Sequence, residues 1–214
     1  MSASATSDRP KRARRLGSGG AIREAAAALF LEKGYQGTSM DEVAAAAGVS
    51  KQTIYTHFAN KEVLFADLVL GNAERVEAFM SSMSKAFTEA GDLDRGLREV
   101  ARLYIGFVIR PEVLRLRRLV LGEAGRFPDL ARTYYESVPE RVYAALAAHF
   151  KELADSGALR LDDPMLAAHH FAWLTLGQPL DLGMFCETPA TAQKDLNRLA
   201  DAAARVFLAA YRAG

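Results

Sequence analysis

Six polar side chains crowd into seven consecutive residues of this chain. They are Lys51, Gln52, Thr53, Tyr55, Thr56 and His57, interrupted only by Ile54. Their common chemistry is hydrogen bonding to a polar, anionic surface. Lysine suits the acceptors of guanine and glutamine the paired groups of adenine, so Lys51, Gln52 and Thr53 are candidate base readers. Tyr55, Thr56 and His57 suit backbone phosphates. Phe58 follows Ile54 by four residues, which gives a helix here one narrow apolar stripe. A core helix would not spend two turns on so little apolar surface, whereas a helix lying in the major groove of a duplex would.

The flanking residues read as the elements that hold this helix in place. Ser50 is a candidate N-cap, so the helix should open at Lys51. Gly48 supplies the permissive backbone of a tight inter-helix turn. A first helix is predicted over 21–33, with Ile22, Ala25, Ala26, Leu29 and Phe30 on one face and Gly34 at its end. Ser39 and Glu42 have capping-box spacing and open a second helix over 40–47, in which Val43 and the alanines at 44, 46 and 47 face its neighbours. Thr38 and Ser39 stand at that helix N-terminus, where hydroxyls and free amides can hold a phosphate. Asn60 caps a fourth helix, predicted to run unbroken over 60–88, with Lys61 placed in its first turn as a phosphate anchor.

The stretch Ala21–Leu70 strongly resembles the N-terminal domain of TetR-type (TetR/AcrR) transcriptional regulators. The resemblance is carried by Ala25-Ala26, Leu29-Phe30, Gly34-Tyr35, Thr38-Ser39-Met40, Val43-Ala44, Ala47-Gly48-Val49-Ser50, Ile54-Tyr55, His57-Phe58, Asn60-Lys61-Glu62 and Leu64. A weaker likeness to one subgroup's C-terminal half runs through Glu123-Ala124-Gly125-Arg126-Phe127-Pro128 and Asp163-Pro164. The family implies a DNA-binding helix-turn-helix and a larger helical domain for an effector and for dimerisation. It also implies a homodimer on a palindromic operator, most often a repressor, released by a small, mostly apolar effector whose identity the sequence does not give.

Composition agrees with an all-α fold of about nine helices. Half of the 214 residues are hydrophobic, and the glycines and prolines fall between segments. The formal net charge of +1 hides an asymmetry: residues 1–62 hold nine Lys/Arg against six Asp/Glu, whereas the remainder carries a net −2. Residues 1–19 are expected to be a disordered basic arm, with Arg9, Lys11, Arg12, Arg14 and Arg15. Residues 20–62 would form the DNA-binding domain and 63–214 the effector-binding and dimerisation domain. The lone Cys186 allows no disulfide within the chain, and the basic start lacks the apolar stretch of a signal peptide. No run approaches a membrane span, so no membrane partner is expected and a cytoplasmic location is.

Beyond residue 88, helices are predicted over about 93–109, 111–124, from 129, from a Ser137–Glu140 capping box to about 155, from Asp162 or Asp163 to about 177, and over 190–212. No catalytic constellation appears among them. His149 and Glu152 share a helix face at a spacing of three, but the second pair that a metal site needs is missing. Gly17-Ser18-Gly19-Gly20 follows no strand and so fails as a phosphate loop. No enzyme activity, metal or cofactor is expected. The rival reading is a helical enzyme or cofactor carrier with an incidental three-helix start. Tyr104, Phe107, Arg118, Tyr143, His149, His170 and Trp173 are the candidate lining of an effector cavity. The helix over about 163–178 and the last helix are expected to pair with their copies across a two-fold axis as a four-helix bundle. Leu196, Leu199, Ala203, Val206, Phe207 and Ala210 give the last helix a wide apolar arc and are the candidate dimer interface.

Overall fold

The computed structural model describes residues 9–186 and 193–213. They fold into eleven α-helices and one π-helical turn; strands are absent among them, and a single bridge joins Leu159 to Arg212. The chain divides into two compact units: residues up to Asn72 together with Leu119–Ala131, and Ala73–Arg118 together with Arg132 onward.

The first unit is built on α1 (Arg9–Lys33), α2 (Met40–Ala47), α3 (Lys51–His57) and α4 (Lys61–Leu70). Residues 1–8 of the expected arm lie outside the described residues. From Arg9 the backbone is already helical, broken at Gly17 by a positive φ of 68°. The caps follow the sequence. Ser39 and Glu42 form a reciprocal capping box, and the Ser50 and Asn60 side chains accept from the Thr53 and Val63 amides. Gly48 turns the chain between α2 and α3 at φ 67°. Of the small residues in α2, Ala44 and Ala47 are buried, but Ala46 is exposed and does not face a neighbour as expected.

The expected fourth helix is two helices. It ends at Leu70, Gly71 and Asn72 form a turn, and α5 (Ala73–Glu89) begins anew. Glycine is a poor helix interior residue, and the apolar pattern on either side cannot report such a break. The division between units therefore falls at 72/73 rather than at 62/63. The reason is packing: Leu64, Phe65 and Val69 of α4 are buried, and Phe65 meets Phe30 and Tyr35 with ring centroids 5.3 and 5.0 Å apart.

The second unit comprises α5, α6 (Leu93–Val108), the first part of α7 (Pro111–Glu123), the end of α8 (Pro128–Tyr135), the π turn Glu136–Glu140, α9 (Arg141–Asp155), α10 (Pro164–Phe185) and α11 (Gln193–Tyr211). Its core gathers Val76, Phe79, Met83, Leu97, Val100, Leu146, Phe150, Phe171 and Phe207. The expected Ser137–Glu140 cap does not form, because α8 runs into α9 through the π turn and leaves no free helix start there. Asp163 does cap α10, accepting from the Met165 and Leu166 amides at 2.9 and 3.0 Å with Pro164 just inside. Pro179 does not stop that helix, which continues to Phe185.

Candidate nucleic-acid interface and effector cleft

α3 buries Ile54 completely, with Phe58 buried at its end, while Lys51, Gln52, Tyr55, Thr56 and His57 are exposed and Thr53 is half-exposed. That is the division the sequence predicts for a helix whose outer face meets a polar partner. Ser50 closes the front of the helix twice over, through the Thr53 amide at 3.0 Å and the Thr53 hydroxyl at 2.8 Å. Thr56 returns its hydroxyl to the Gln52 main-chain carbonyl at 2.9 Å, and the Gln52 side chain is exposed. Lys51 donates to the Asp41 carboxylate at 2.9 and 3.0 Å, and this partner holds its ammonium above the ordinary lysine range. His57 meets the Ser18 hydroxyl at 2.8 Å, which ties the end of α3 to the residue after the break in α1.

Two of the expected phosphate contacts are turned inward. Thr38 is 1% exposed and donates to the Gly34 carbonyl at 2.9 Å. Lys61 donates to the Tyr35 and Thr38 carbonyls at 3.0 and 2.8 Å and lies 4.3 Å from the centroid of the Tyr35 ring. Both side chains therefore fasten the loop between α1 and α2. Lys61 keeps one N–H for another partner. With Thr38, Ser39, Lys51 and Tyr55 it borders an open hollow of about 480 Å³ at the start of α2. Glu42 closes the other side of that loop: the Lys33 ammonium, followed by the Ser39 hydroxyl and amide, holds its carboxyl down to about 2.

Comparison with known proteins assigns this arrangement. Residues 22–68 match bacterial regulatory proteins of the tetR family, and residues 95–213 match the C-terminal domain of AefR-like transcriptional repressors. The chain belongs to the TetR family. It is a DNA-binding transcriptional regulator and not an enzyme. A solved TetR-family regulator from Mesorhizobium loti is 40% identical, with a TM-score of 0.84 over 94% of this chain and 98% of that one. The flavonoid-responsive regulator FrrA is 34% identical, with a TM-score of 0.73 over 91% and 97% of the two chains. The transcriptional repressor AcnR of Corynebacterium efficiens is 29% identical over 77% of this chain and 78% of its own. No helix among the described residues is long and apolar enough to cross a membrane.

In the larger unit of this TetR-family protein, an apolar cleft forms between α6, α7, the π turn, α9 and α10. Four of the seven expected residues line it: Tyr104, Phe107, Tyr143 and Trp173. The other three do not. Arg118 donates to the Gly183 carbonyl at 2.5 Å, and its neighbour Arg117 lines the cleft instead. One residue along a helix turns a side chain by about 100°, so an apolar pattern that is one position out of phase picks the wrong arginine. His149 packs on Phe87, with centroids 4.9 Å apart, and reaches Glu152 at 3.3 Å. His170 is exposed and bonded to the Tyr211 hydroxyl at 2.5 Å. The sequence reading missed Val138 and Pro139, which come from the unforeseen π turn; Tyr134, from the helix before it, also lines the cleft. The cavity is small, about 30 Å³, which is room for water but not for a ligand.

The expected dimer residues also divide. Leu196, Ala203 and Phe207 are buried within the chain itself, and the Phe207 ring packs tilted or edge-on among Phe150, Phe171 and Tyr211. Leu199 is half-buried, which leaves Val206 and Ala210 exposed. α10, the other helix expected at the seam, exposes Leu166, Trp173, Leu174 and Phe185. An arc of apolar residues cannot by itself say which part faces the chain's own core.

Proposed function

We propose that the protein represses transcription by binding a palindromic operator as a homodimer, and that a small, mostly apolar ligand releases it. The observation that carries the DNA reading is α3, a doubly capped helix whose outer face is Lys51, Gln52, Tyr55, Thr56 and His57. Lys51, Gln52 and Thr53 read bases in this scheme, while Ser39, Ser50, Tyr55, Thr56, His57 and the spare N–H of Lys61 meet phosphates. Thr38 acts through the loop it fastens.

Two arguments support pairing. A single seven-residue helix reads few base pairs, and a two-fold axis doubles the contact. The exposed apolar stripe of α10, with Val206 and Ala210 of α11, is the surface a second copy would cover. Repression follows the repressors AcnR and the AefR-like group to which the chain is similar. Response to a ligand is supported by the aromatic cleft and by the likeness to FrrA, a flavonoid-responsive regulator. At about 30 Å³ the cleft admits no ligand until its walls part, so release couples ligand entry to a rearrangement of the larger unit.

The test is selection of bound duplexes from a random pool by the purified full chain, with light scattering of the free protein. An inverted repeat bound by a particle of twice the 23.3 kDa chain mass is expected. A monomer that recovers a single half-site overturns the pairing.

A further inference from the structure

The cleft of the larger unit borders a charge that nothing among the described residues answers. Five arginines of that unit are half-buried: Arg98, Arg102, Arg117, Arg118 and Arg141. Arg98 pairs with Asp94 and Arg102 with Asp201; Arg118 holds the Gly183 carbonyl, and Arg141 holds Glu77. Arg117 alone among them has no hydrogen-bond or ion-pair partner in the described residues. A guanidinium taken partly out of water without a counter-charge is unfavourable, and such a group is retained where something else supplies the anion.

Its surroundings narrow what that anion is. Arg117 acts on the Tyr104, Tyr134 and Tyr143 phenols, yet burial, the larger effect, raises all three above the ordinary range. They stay neutral and remain able to donate hydrogen bonds. Phe107 and Trp173 complete an aromatic lining, and Phe107 is backed by Phe79 at a centroid distance of 4.3 Å. Rings of this kind favour another ring, offset or edge-on. The lining is compact, which suits a short planar ligand better than a long acyl chain. One wall is also suited to move. Val138 and Pro139 belong to the π turn, where one extra residue is held in the helix and can be relaxed by a discrete shift.

We propose that the cleft binds a small aromatic carboxylate, its carboxylate paired with Arg117 and its ring received by the aromatic lining as the π-turn wall gives way. This rests on the effector reading of the same cleft and adds the ligand's class and anchor.

Trp173 is the chain's one tryptophan and lines the cleft, so its emission reports binding directly. The full chain is titrated with benzoate, 4-hydroxybenzoate and 4-hydroxycinnamate, with the methyl ester of each, and with hexanoate as an anion lacking a ring. The expected result is a saturable change with at least one aromatic acid, at least tenfold tighter than its ester or hexanoate. Arg117→Gln should abolish that preference, whereas Arg115→Gln, an exposed position on the same helix, should keep it. Absence of saturation with every acid, equal binding of acid and ester or of hexanoate, or a preference that survives Arg117→Gln overturns the proposal. Circular dichroism shows whether Arg117→Gln folds; if it does not, the acid-to-ester ratio of the unmutated protein decides alone. Operator release is read separately by anisotropy of labelled DNA. An acid that binds and leaves the DNA complex intact overturns the release reading and not the site.

Discussion

α3 and α10 solve opposite problems. The seven residues of α3 bury one side chain, Ile54, and present an almost wholly polar outer face. The 22 residues of α10 bury nine, and the exposed face still carries Leu166, Trp173, Leu174 and Phe185. The chemistry of the uncovered face indicates what covers it. A polar face of amide, hydroxyl and ammonium groups calls for a hydrated, charged partner; an apolar face left in water calls for an apolar one. Burial within the chain is thus as informative as exposure, since it removes residues such as Phe207 from any list of contacts.

The largest expected effect tests that last point. Phe207→Ala should destabilise the second unit by about 3–5 kcal/mol through loss of a fully buried ring, whereas Val206→Ala, one residue earlier and exposed, should stay within about 0.5 kcal/mol. Denaturant titration measures both, and comparable losses would erase the distinction between core and seam on α11. In α3 the matching pair is Ile54 and Gln52. Ile54→Ala should cost about 2–5 kcal/mol of stability. Gln52→Ala should leave stability unchanged yet weaken operator binding by about 1–3 kcal/mol and relax preference at one position per half-site. A Gln52→Ala protein with normal operator affinity would remove the base-reading role.

Lys61 separates anchoring from contact. Because it holds two carbonyls of the α1–α2 loop, Lys61→Met should lower the melting temperature by a few degrees, corresponding to about 1 kcal/mol. It should also reduce the salt slope of binding by no more than about one per half-site. An unchanged melting temperature would mean the loop does not depend on this ammonium.

The smallest effect is on pH. Glu42 is held down to about 2 by Lys33 and Ser39, against an ordinary value of 4.5. A carboxyl with a depressed folded-state pKa stabilises the fold above its ordinary value, and that contribution is lost as pH falls from about 4.5 toward 2. The first unit should therefore lose stability over this window, and Glu42→Gln should flatten the loss. An identical acid profile in the variant would show that the capping box has no share in it.

What was legible in the sequence was local. The bounds of α2, the start of α3 and the caps at Ser39, Ser50, Asn60 and Asp163 depend on residues within four positions of one another. What was hidden depends on phase or on distant partners. Arg117 and Arg118 are indistinguishable until the rotation of α7 is known. Nothing near Lys61 in sequence announces the carbonyls of Tyr35 and Thr38, more than 20 residues away. Ser137 and Glu140 satisfied a capping pattern, but the helix did not begin there. A motif spacing describes a possible helix end, and only the packing of α8 and α9 decides whether the end exists.

The Lys51–Asp41 pair bears on how the protein searches a genome. Attachment to unrelated duplex is driven by counterions released as free cations meet phosphates. A lysine paired with a carboxylate has less to offer a passing phosphate than a free one, because the exposed pair must first be exchanged. In the proposed scheme Lys51 contributes less while the protein slides than where it stops. Asp41→Asn would free the ammonium, and the expected outcome is a greater gain in affinity for random DNA than for the operator. The ratio between the two would fall, and more of the protein would be held at sites where it has nothing to regulate.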